Sequence, residues 1–407
     1  SKNPMPIRLL ASDLGVRMFE GWRAFTCDPE IGIRMCSGSR QEQDSQLRTV
    51  GLSKTVSVDL TALFTLHGLG QLGLLTKLFE RVYAHISIMD AVVEELREAL
   101  AWPSLGKLGV VNGQMVMSPP QPEERQTKIR ALTEIRDFLK SDQVILSGLR
   151  SSSKYGKLIT NIESNSRIEE LMKPALVAHE QSSALLSDDF VQRVLATRLS
   201  CSSFCSQALL RRALGEKLIS QHEYQDAVLM LHSWNYHFVS DDRGTLLKLL
   251  DRESPHSSPL AQKVVTNLAR NGITSEECRR ILADFALYIW AKGEQGAFPS
   301  APWIALIWDS IERADPSMKL MRRIIAELPS HFAMKPRIFS PFIGLFCQSG
   351  TGDLKRLHML LSHAARVASS AASVSSSKGE KTAWQMQAAA LNILKLLPTN
   401  LRRVKRG

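Results

Sequence analysis

The sequence lacks the patterns that mark a disulfide framework or a zinc finger. Its six cysteines are scattered, and none belongs to a pair of CxxC motifs at metal-ligand spacing. Reduced, buried thiols are the ordinary state of such cysteines, so the pattern predicts a cytoplasmic protein. Aromatic residues make up only 6% of the chain, which argues against a base-stacking surface of the kind used by RNA-recognition motifs.

Long hydrophobic runs are also missing. Apolar stretches reach only about ten residues, short of the roughly 20 that a membrane-spanning helix needs, so neither a membrane span nor a signal peptide is predicted. The sequence has no GxxxxGK[ST] loop and no Gly-x-Ser-x-Gly elbow, so neither nucleotide hydrolysis nor serine-hydrolase chemistry is indicated. The hydrophobic content of 44% is nevertheless sufficient for the cores of about two or three domains.

Acidic residues are scarce toward the C-terminal end. Residues 251–407 hold 22 Lys and Arg against 12 Asp and Glu, whereas residues 1–250 hold 29 against 28. No acid follows Glu380. The basic side chains of the tail are Arg402, Arg403, Lys405 and Arg406. This imbalance favours a polyanionic partner such as RNA or DNA. A solubilising surface with a frayed tail is the alternative.

Strands and helices alternate in the predicted structure of residues 52–250. Apolar strands are predicted at 55–59, 81–87 and 184–187, and a helical pattern follows each of them. This order predicts a parallel sheet that is covered by helices on both faces. An Asn-Gly pair between two apolar runs predicts an inserted β-hairpin near 108–118.

Three parts are predicted along the chain. Residues 1–51 are interpreted as an N-terminal extension or the remnant of an upstream domain, with a polar loop at 37–46. Residues 52–250 form the α/β domain. Residues 251–407 have helical patterns separated by Gly and Pro, which predicts a basic, all-helical repeat or bundle domain with a flexible link at 368–379.

Carboxylates follow two of the predicted strands. Asp59 ends the strand at 55–59, and Asp188 and Asp189 follow the strand at 184–187. Parallel strands that deliver acids at their C-terminal ends build a site at that edge of the sheet. Oxygen ligands of this type suit Mg²⁺ or Mn²⁺. For each acid taken singly, a helix cap or a surface charge is the alternative.

Further acids lie close to the same predicted edge. Asp90 and Glu94 are four residues apart, so they share one face of the helix that follows the second strand. Glu169 and Glu170 stand near the start of the helix that precedes the strand at 184–187. Together with the strand-end acids, these positions can converge on one or two divalent ions.

Several segments resemble a known family. Residues 55–70 resemble the opening strand and first acid of a PIN domain, residues 81–96 its second strand and acid-bearing helix, and residues 184–196 its late strand and Asp motif. Residues 214–224 and 234–240 are similar to the tail of PIN domains in large bacterial proteins that also carry TPR-like helices and a transcription-elongation-factor-like segment. The resemblance implies a three-layer α/β fold with a parallel sheet.

The resemblance also implies a function, that of a metal-dependent endoribonuclease that uses Mg²⁺ or Mn²⁺ to hydrolyse RNA. The acid positions carried over from the family are Asp59, either Asp90 or Glu94, Glu170, and Asp188 with Asp189 beside it. RNA is the expected partner, and the basic tail would contact it. A protein partner or a homo-oligomer is also compatible with the sequence.

Two other functions stay open from the sequence. The PIN-like unit could be a catalytically silent scaffold that binds protein or nucleic-acid partners. It could alternatively be a nuclease that acts on DNA in bacterial defence. Metal binding distinguishes the scaffold from the nucleases, because a ligand specific to the folded state stabilises it.

Overall fold

A computed structural model provides the structure of the chain. It describes residues 5–27, 32–37, 39–101, 107–111, 114–118, 122–149, 166–237, 239, 243–252, 258–273, 276–294, 300–317 and 319–320. The chain divides into two compact units, Ser1–Val239 and Ser240–Gly407. The predicted Asn-Gly turn, the flexible link and the basic tail lie outside the described residues.

The first unit contains both strands and helices. Its described strands are β1 (Ile33–Arg34), β2 (Thr55–Val58), β3 (Arg81–His85), β4 (Lys107–Val111), β5 (Gln114–Ser118), β6 (Val144–Ser147), β7 (Ala184–Leu186), β8 (Ser203–Phe204) and β9 (Tyr236–His237). Its described helices are α1 (Ile7–Asp13), α2 (Met18–Cys27), α3 (Arg40–Leu52), α4 (Leu60–Gly68), α5 (Leu74–Leu78), α6 (Ile86–Ala101), α7 (Pro122–Leu139), α8 (Ser166–Glu180), α9 (Phe190–Arg198), α10 (Ser206–Gly215) and α11 (Gln221–Ser233).

The central sheet has five parallel strands in the order β6-β3-β2-β7-β8. Val58 at the end of β2 is in register with Ala84 of β3 and Leu186 of β7, so these three strands end at the same edge. The parallel α/β architecture expected from the sequence is confirmed. Two separate two-stranded ladders accompany it, the parallel pair β1-β9 and the antiparallel pair β4-β5.

Helices cover both faces of the sheet, as the alternating burial of β7 demonstrates. Leu185 packs with residues of α8 and α9, whereas Ala184 and Leu186 belong to the larger core on the opposite face. Because successive side chains of a strand point to opposite faces, a strand covered on both sides has a continuous apolar run. This accounts for the unbroken Ala-Leu-Leu of β7.

Residues that precede β2 contribute to the same core. Phe19, Trp22 and Phe25 of α2 are buried in the larger cluster. The ring of Phe19 meets that of Phe64 on α4 edge-on, with 5.2 Å between the centroids. Such aromatic pairs add stability beyond the area that they bury.

The prediction of a loop at 37–46 is wrong for most of that range, because α3 begins at residue 40. Ser39 is its N-cap, and the Ser39 hydroxyl accepts a hydrogen bond from the N–H of Glu42 at 3.2 Å. The Glu42 carboxylate accepts in turn from the N–H of Ser37 at 2.6 Å. These caps stabilise a helix start that the polar composition alone does not reveal.

The described part of the second unit is helical. Its helices are α12 (Arg243–Arg252), α13 (Pro259–Gly272), α14 (Glu276–Glu294) and α15 (Ser300–Ala314). Phe285 of α14 meets Trp303 of α15 edge-on, with 6.0 Å between the ring centroids. Among the described helices of both units, none has the length and apolar character to cross a bilayer.

Candidate active site

The edge where β2 and β7 end together carries the first group of polar residues. Asp59 follows β2 and Ser187 follows β7, and the register Val58↔Leu186 places them side by side. The N–H of Asp59 donates to the carbonyl of Leu186 at 3.2 Å. The Ser187 hydroxyl donates to Oδ2 of Asp59 at 2.6 Å. The parallel pairing therefore holds the two strand ends in one polar cluster.

Asp59 is the N-cap of α4 and is only 5% exposed. Its Oδ1 accepts from the N–H of Ala62 at 2.9 Å, and both of its oxygens accept from the Thr61 hydroxyl at 2.9 Å. Burial raises the pKa of Asp59 to about 7, and the nearby charge of Asp188 adds to the rise, while the hydrogen bonds from Ser187, Ala62 and Thr61 oppose it. The carboxyl group therefore titrates near neutral pH.

Asp189 is the N-cap of α9 and is also 5% exposed. Its Oδ1 accepts from the N–H of Val191 at 2.9 Å. Its Oδ2 accepts from the N–H of Ile7, at the start of α1, at 2.7 Å. Burial raises the pKa of Asp189, and the backbone hydrogen bonds work against that rise.

Asp188 is fully buried and points to a different partner. Its two carboxylate oxygens accept from the backbone N–H and the hydroxyl of Ser206, each at 2.7 Å. Burial raises the pKa of Asp188, and the hydrogen bonds from Ser206 and Thr65 oppose the rise. The carboxylate thereby ties the loop after β7 to the first residue of α10.

A cavity of about 20 Å³ opens beside Asp59 and Asp189. About one water molecule, or a bare cation of similar size, fits such a volume. The side chains that line it belong to Arg8, Met18, Asp59, Leu60, Thr61, Ile88, Pro174, Asp189 and Gln192. Asp188 is not among them, so the acids that share this cavity are the two helix caps.

Glu170 lies at the rim of the same region and is held by two cations. Its Oε2 accepts from the Arg8 guanidinium at 3.0 Å, and its backbone carbonyl accepts from the same group at 3.3 Å. Its Oε1 pairs with Lys173 one helical turn later. Burial lowers the pKa of Arg8, and the charge of Asp59 raises it.

The two alternatives for the second acid lie on the surface of α6. Asp90 and Glu94 are both exposed. Glu94 pairs with Arg17 at 2.9 Å, and Arg17 also pairs with Glu98. Neither Asp90 nor Glu94 lines the cavity, so the structure does not bring them to Asp59.

Within the described residues, no group of three or more His, Cys, Asp or Glu side chains is arranged to hold a metal ion. The chemistry of the cavity nevertheless fits a hard cation, since Mg²⁺ is commonly bound through one or two carboxylates with water and substrate phosphate completing its shell. Asp59 and Asp189 are the residues that could hold it. The predicted nucleic-acid contacts Arg402, Arg403, Lys405 and Arg406 lie outside the described residues.

Three contributors to the site were not assigned to it from the sequence. Thr61 and Ser187 donate to Asp59. Thr61 follows Asp59 by two residues and Ser187 precedes Asp189 by two residues, and this spacing could have indicated their roles. Arg8 has no such signal, because it reaches the cavity through a contact with a residue 162 positions away.

Part of the chain matches a protein-family model. Residues 58–198 match the model for the PIN domain associated with the TPR-GreAB-C-PIN system. The search of curated proteins and the search of solved structures return no match. The matched segment begins at the last residue of β2 and ends with α9, and it contains Asp59, Asp90, Glu94, Glu170, Asp188 and Asp189.

Proposed function

We propose that the protein is a metal-dependent endoribonuclease that hydrolyses RNA phosphodiester bonds. The proposal starts from residues 58–198, which match a PIN domain model, and PIN domains are nuclease-type domains. The observation that carries the proposal is the pair of buried carboxylates, Asp59 and Asp189, that line one cavity at the C-terminal edge of the parallel sheet. Ligands of open α/β sheets bind outside this edge.

Asp59 and Asp189 would hold a Mg²⁺ or Mn²⁺ ion. PIN domains generally depend on divalent metals, and two carboxylates that face one cavity of about 20 Å³ supply suitable oxygen donors. When bound, such an ion neutralises charge on the transferring phosphoryl group and lowers the pKa of water. Burial raises the pKa of both carboxyls, and a bound cation would favour their ionised forms.

The remaining residues of the cluster would act by orientation. Ser187 and Thr61 donate to Asp59 and fix its rotamer, so that the carboxylate is presented without further rearrangement. Asp188 takes no position in the cavity, and we propose that its contribution is to anchor the loop between β7 and α9 through Ser206.

The basic end of the chain would supply affinity for the polyanion. Residues 251–407 carry ten more basic than acidic side chains, and Arg402, Arg403, Lys405 and Arg406 are the proposed contacts. Contacts of this type make binding strongly dependent on salt concentration.

Cleavage of single-stranded RNA with and without Mn²⁺ tests the proposal. Wild-type protein should cleave only with the metal, and Asp59→Asn, which retains a helix-capping side chain, should reduce the rate by about two orders of magnitude or more. Asp142→Asn changes an exposed acid in the same way and should cleave like wild type. Equal rates for Asp59→Asn and wild type would contradict the proposal. Preferential cleavage of duplex DNA in a parallel assay would instead favour a DNA-acting nuclease.

A catalytically silent scaffold is favoured by a specific observation. Every carboxylate oxygen of Asp59, Asp188 and Asp189 already accepts from a protein donor, and both oxygens of Glu170 face cations. Fully engaged acids are typical of a structural network. Absence of both Mn²⁺-dependent cleavage and Mn²⁺-dependent stabilisation in the wild type would support this function.

A further inference from the structure

The cavity lined by Asp59 and Asp189 is also lined by a cationic side chain. Arg8 lines the cavity together with Asp59 and Asp189. Arg8 belongs to α1, 50 positions before the start of the segment that matches the PIN family. The cation is therefore supplied by a part of the chain that the family match does not include.

Backbone contacts fix the place of Arg8. The N–H of the preceding residue, Ile7, donates to Asp189 at 2.7 Å, so the start of α1 is attached to one of the two acids. Ala11 of the same helix packs against α2, where a Cβ added at Gly21 would lie only 2.7 Å from the Ala11 Cβ. The Arg8 side chain thus projects from an anchored helix.

Glu170 orients the guanidinium group. It accepts one hydrogen bond from each terminal nitrogen of Arg8, one through its carboxylate and one through its backbone carbonyl. An Arg side chain has five N–H donors, and the hydrogen bonds to Glu170 use two of them. The Arg8 side chain is 28% exposed, so the group is at the rim of the cavity rather than sealed beneath it.

The charges of the site make such a group useful. The two carboxylates that line the cavity offset the charge of one divalent ion, so a further cation would strengthen the attraction for a phosphodiester anion. Arginine binds phosphate oxygens through paired N–H groups and stays charged in this environment. Lys173, which shares Glu170 with Arg8, places a second cation at the same rim.

We propose that Arg8 contacts the phosphodiester of the nucleic-acid substrate at the acid cavity, with Glu170 as the residue that positions it and Lys173 as the adjacent cation. This rests on the proposed nuclease function and deepens it. It assigns substrate binding to a helix outside the PIN segment. It also gives Glu170 a role in orienting arginine.

Binding of a labelled single-stranded oligoribonucleotide to the full-length chain, followed by fluorescence anisotropy, tests this. Ca²⁺ replaces Mn²⁺ so that a hard cation is present while cleavage is slow, and KCl is varied. Arg8→Gln should bind about tenfold more weakly than wild type. The slope of log K against log[salt] should become shallower by about 0.7, the value for one lost phosphate contact on a single strand.

Arg136→Gln is the matched control. Arg136 is 30% exposed and pairs with the neighbouring Asp137, as Arg8 pairs with Glu170, but it lies on α7 and does not line the cavity. Its affinity and salt slope should equal those of wild type. Arg8→Lys keeps the charge, so its salt slope should stay at the wild-type value while its affinity is intermediate.

Two results would overturn the assignment of Arg8. One is equal affinity and slope for Arg8→Gln and wild type. The other is weaker binding with an unchanged slope in Arg8→Gln, which indicates a structural effect. If Arg8→Gln does not fold, a salt slope of Arg8→Lys shallower than wild type overturns it as well. Failure of the wild type itself to bind the oligonucleotide would contradict the proposed function and not only the role of Arg8.

Discussion

The backbone N–H of Ile7 donates to Oδ2 of Asp189 across 2.7 Å, although 182 positions separate the two residues. This bond attaches the first described helix to an acid of the candidate site. It means that the cavity is built from two parts of the chain, the segment that matches the PIN family and the residues before β2. The N-terminal helices are therefore part of the site and of the core.

Docking of α1 can be tested at Gly21. A Cβ at this position would lie 2.7 Å from the Cβ of Ala11, so Gly21→Ala must push α1 away from α2. We expect the free energy of unfolding to fall by about 1–3 kcal/mol, as for other overpacked cores. Urea denaturation measures this change.

Gly51→Ala is the control for the effect of alanine itself. Gly51 lies in α3, and an added Cβ would meet nothing within 4 Å. Because alanine favours helix over glycine, this variant should gain about 0.5–1 kcal/mol. A loss at Gly51 similar to that at Gly21 would contradict the steric explanation.

The raised pKa of Asp59 predicts a dependence of stability on pH. Between its ordinary value of 3.8 and about 7, the folded state keeps a proton that the unfolded state has lost. The free energy of unfolding therefore falls as pH rises through this window, by up to about 1.4 kcal/mol per pH unit, and levels off above it.

Asp59→Asn isolates this contribution, since the raised pKa values of Asp188 and Asp189 act in the same direction in both proteins. In the presence of a chelator, wild type should lose stability relative to Asp59→Asn as pH rises from 4 to 7. Denaturant titrations at several pH values measure the difference. If the free energies of unfolding of wild type and Asp59→Asn change with pH in the same way, burial does not raise the pKa of Asp59.

The hydroxyl of Tyr236 joins two helices in the core, through Trp22 of α2 and Thr65 of α4. Tyr236 is fully buried, and its hydroxyl lies 2.6 Å from the Thr65 hydroxyl and accepts from the Trp22 indole at 2.9 Å. Tyr236→Phe should cost about 1–3 kcal/mol because these partners lose a hydrogen bond in the core. Tyr83→Phe is the control, since no hydrogen bond from its hydroxyl is found among the described residues. A similar cost at both sites would contradict the role of the Tyr236 contact.

Arg193 holds the loop that carries Asp188 and Asp189. Its buried guanidinium donates to the carbonyl of Ser187 at 2.8 Å and to Glu42 at 3.0 Å. A lysine cannot reproduce this fork, so Arg193→Lys should lower the free energy of unfolding by about 3 kcal/mol. Arg198→Lys, at an exposed position of the same helix, should change it by less than about 0.5 kcal/mol. Equal stability of the two variants would contradict the role given to Arg193.

The sequence predicted three of the five strands of the central sheet, β2, β3 and β7, because they are short apolar runs; β6 and the two-residue β8 were missed. β2 and β7 are short, unbroken apolar runs followed directly by acids, and a parallel sheet brings such ends together. β6 was not predicted, although Val144, Ile145 and Leu146 form an apolar run like those of the other strands; it is an edge strand, with Ile145 and Leu146 exposed. α3 was missed because caps and tertiary contacts stabilise it rather than an apolar periodicity.

The candidate site was predictable only in part, for reasons of distance along the chain. Helical periodicity placed Asp90 and Glu94 on one face of α6, but it could not indicate that this face is exposed. The adjacent Asp188 and Asp189 follow the same strand, yet only the second lines the cavity, because the first is held by Ser206. Arg8 reaches the cavity through tertiary contacts, which no local sequence pattern indicates.

Binding of Mn²⁺ by the full-length protein, measured as a shift in melting temperature and by calorimetric titration, tests the central claim that Asp59 and Asp189 together hold one divalent cation. Wild type should bind one ion at the cavity and gain about 2.7 kcal/mol at a concentration 100 times the Kd. Asp59→Asn and Asp189→Asn should each abolish this gain, whereas the exposed Asp137→Asn should retain it. A wild-type melting temperature that is unaffected by Mn²⁺, or an unchanged response of Asp189→Asn, would contradict the account.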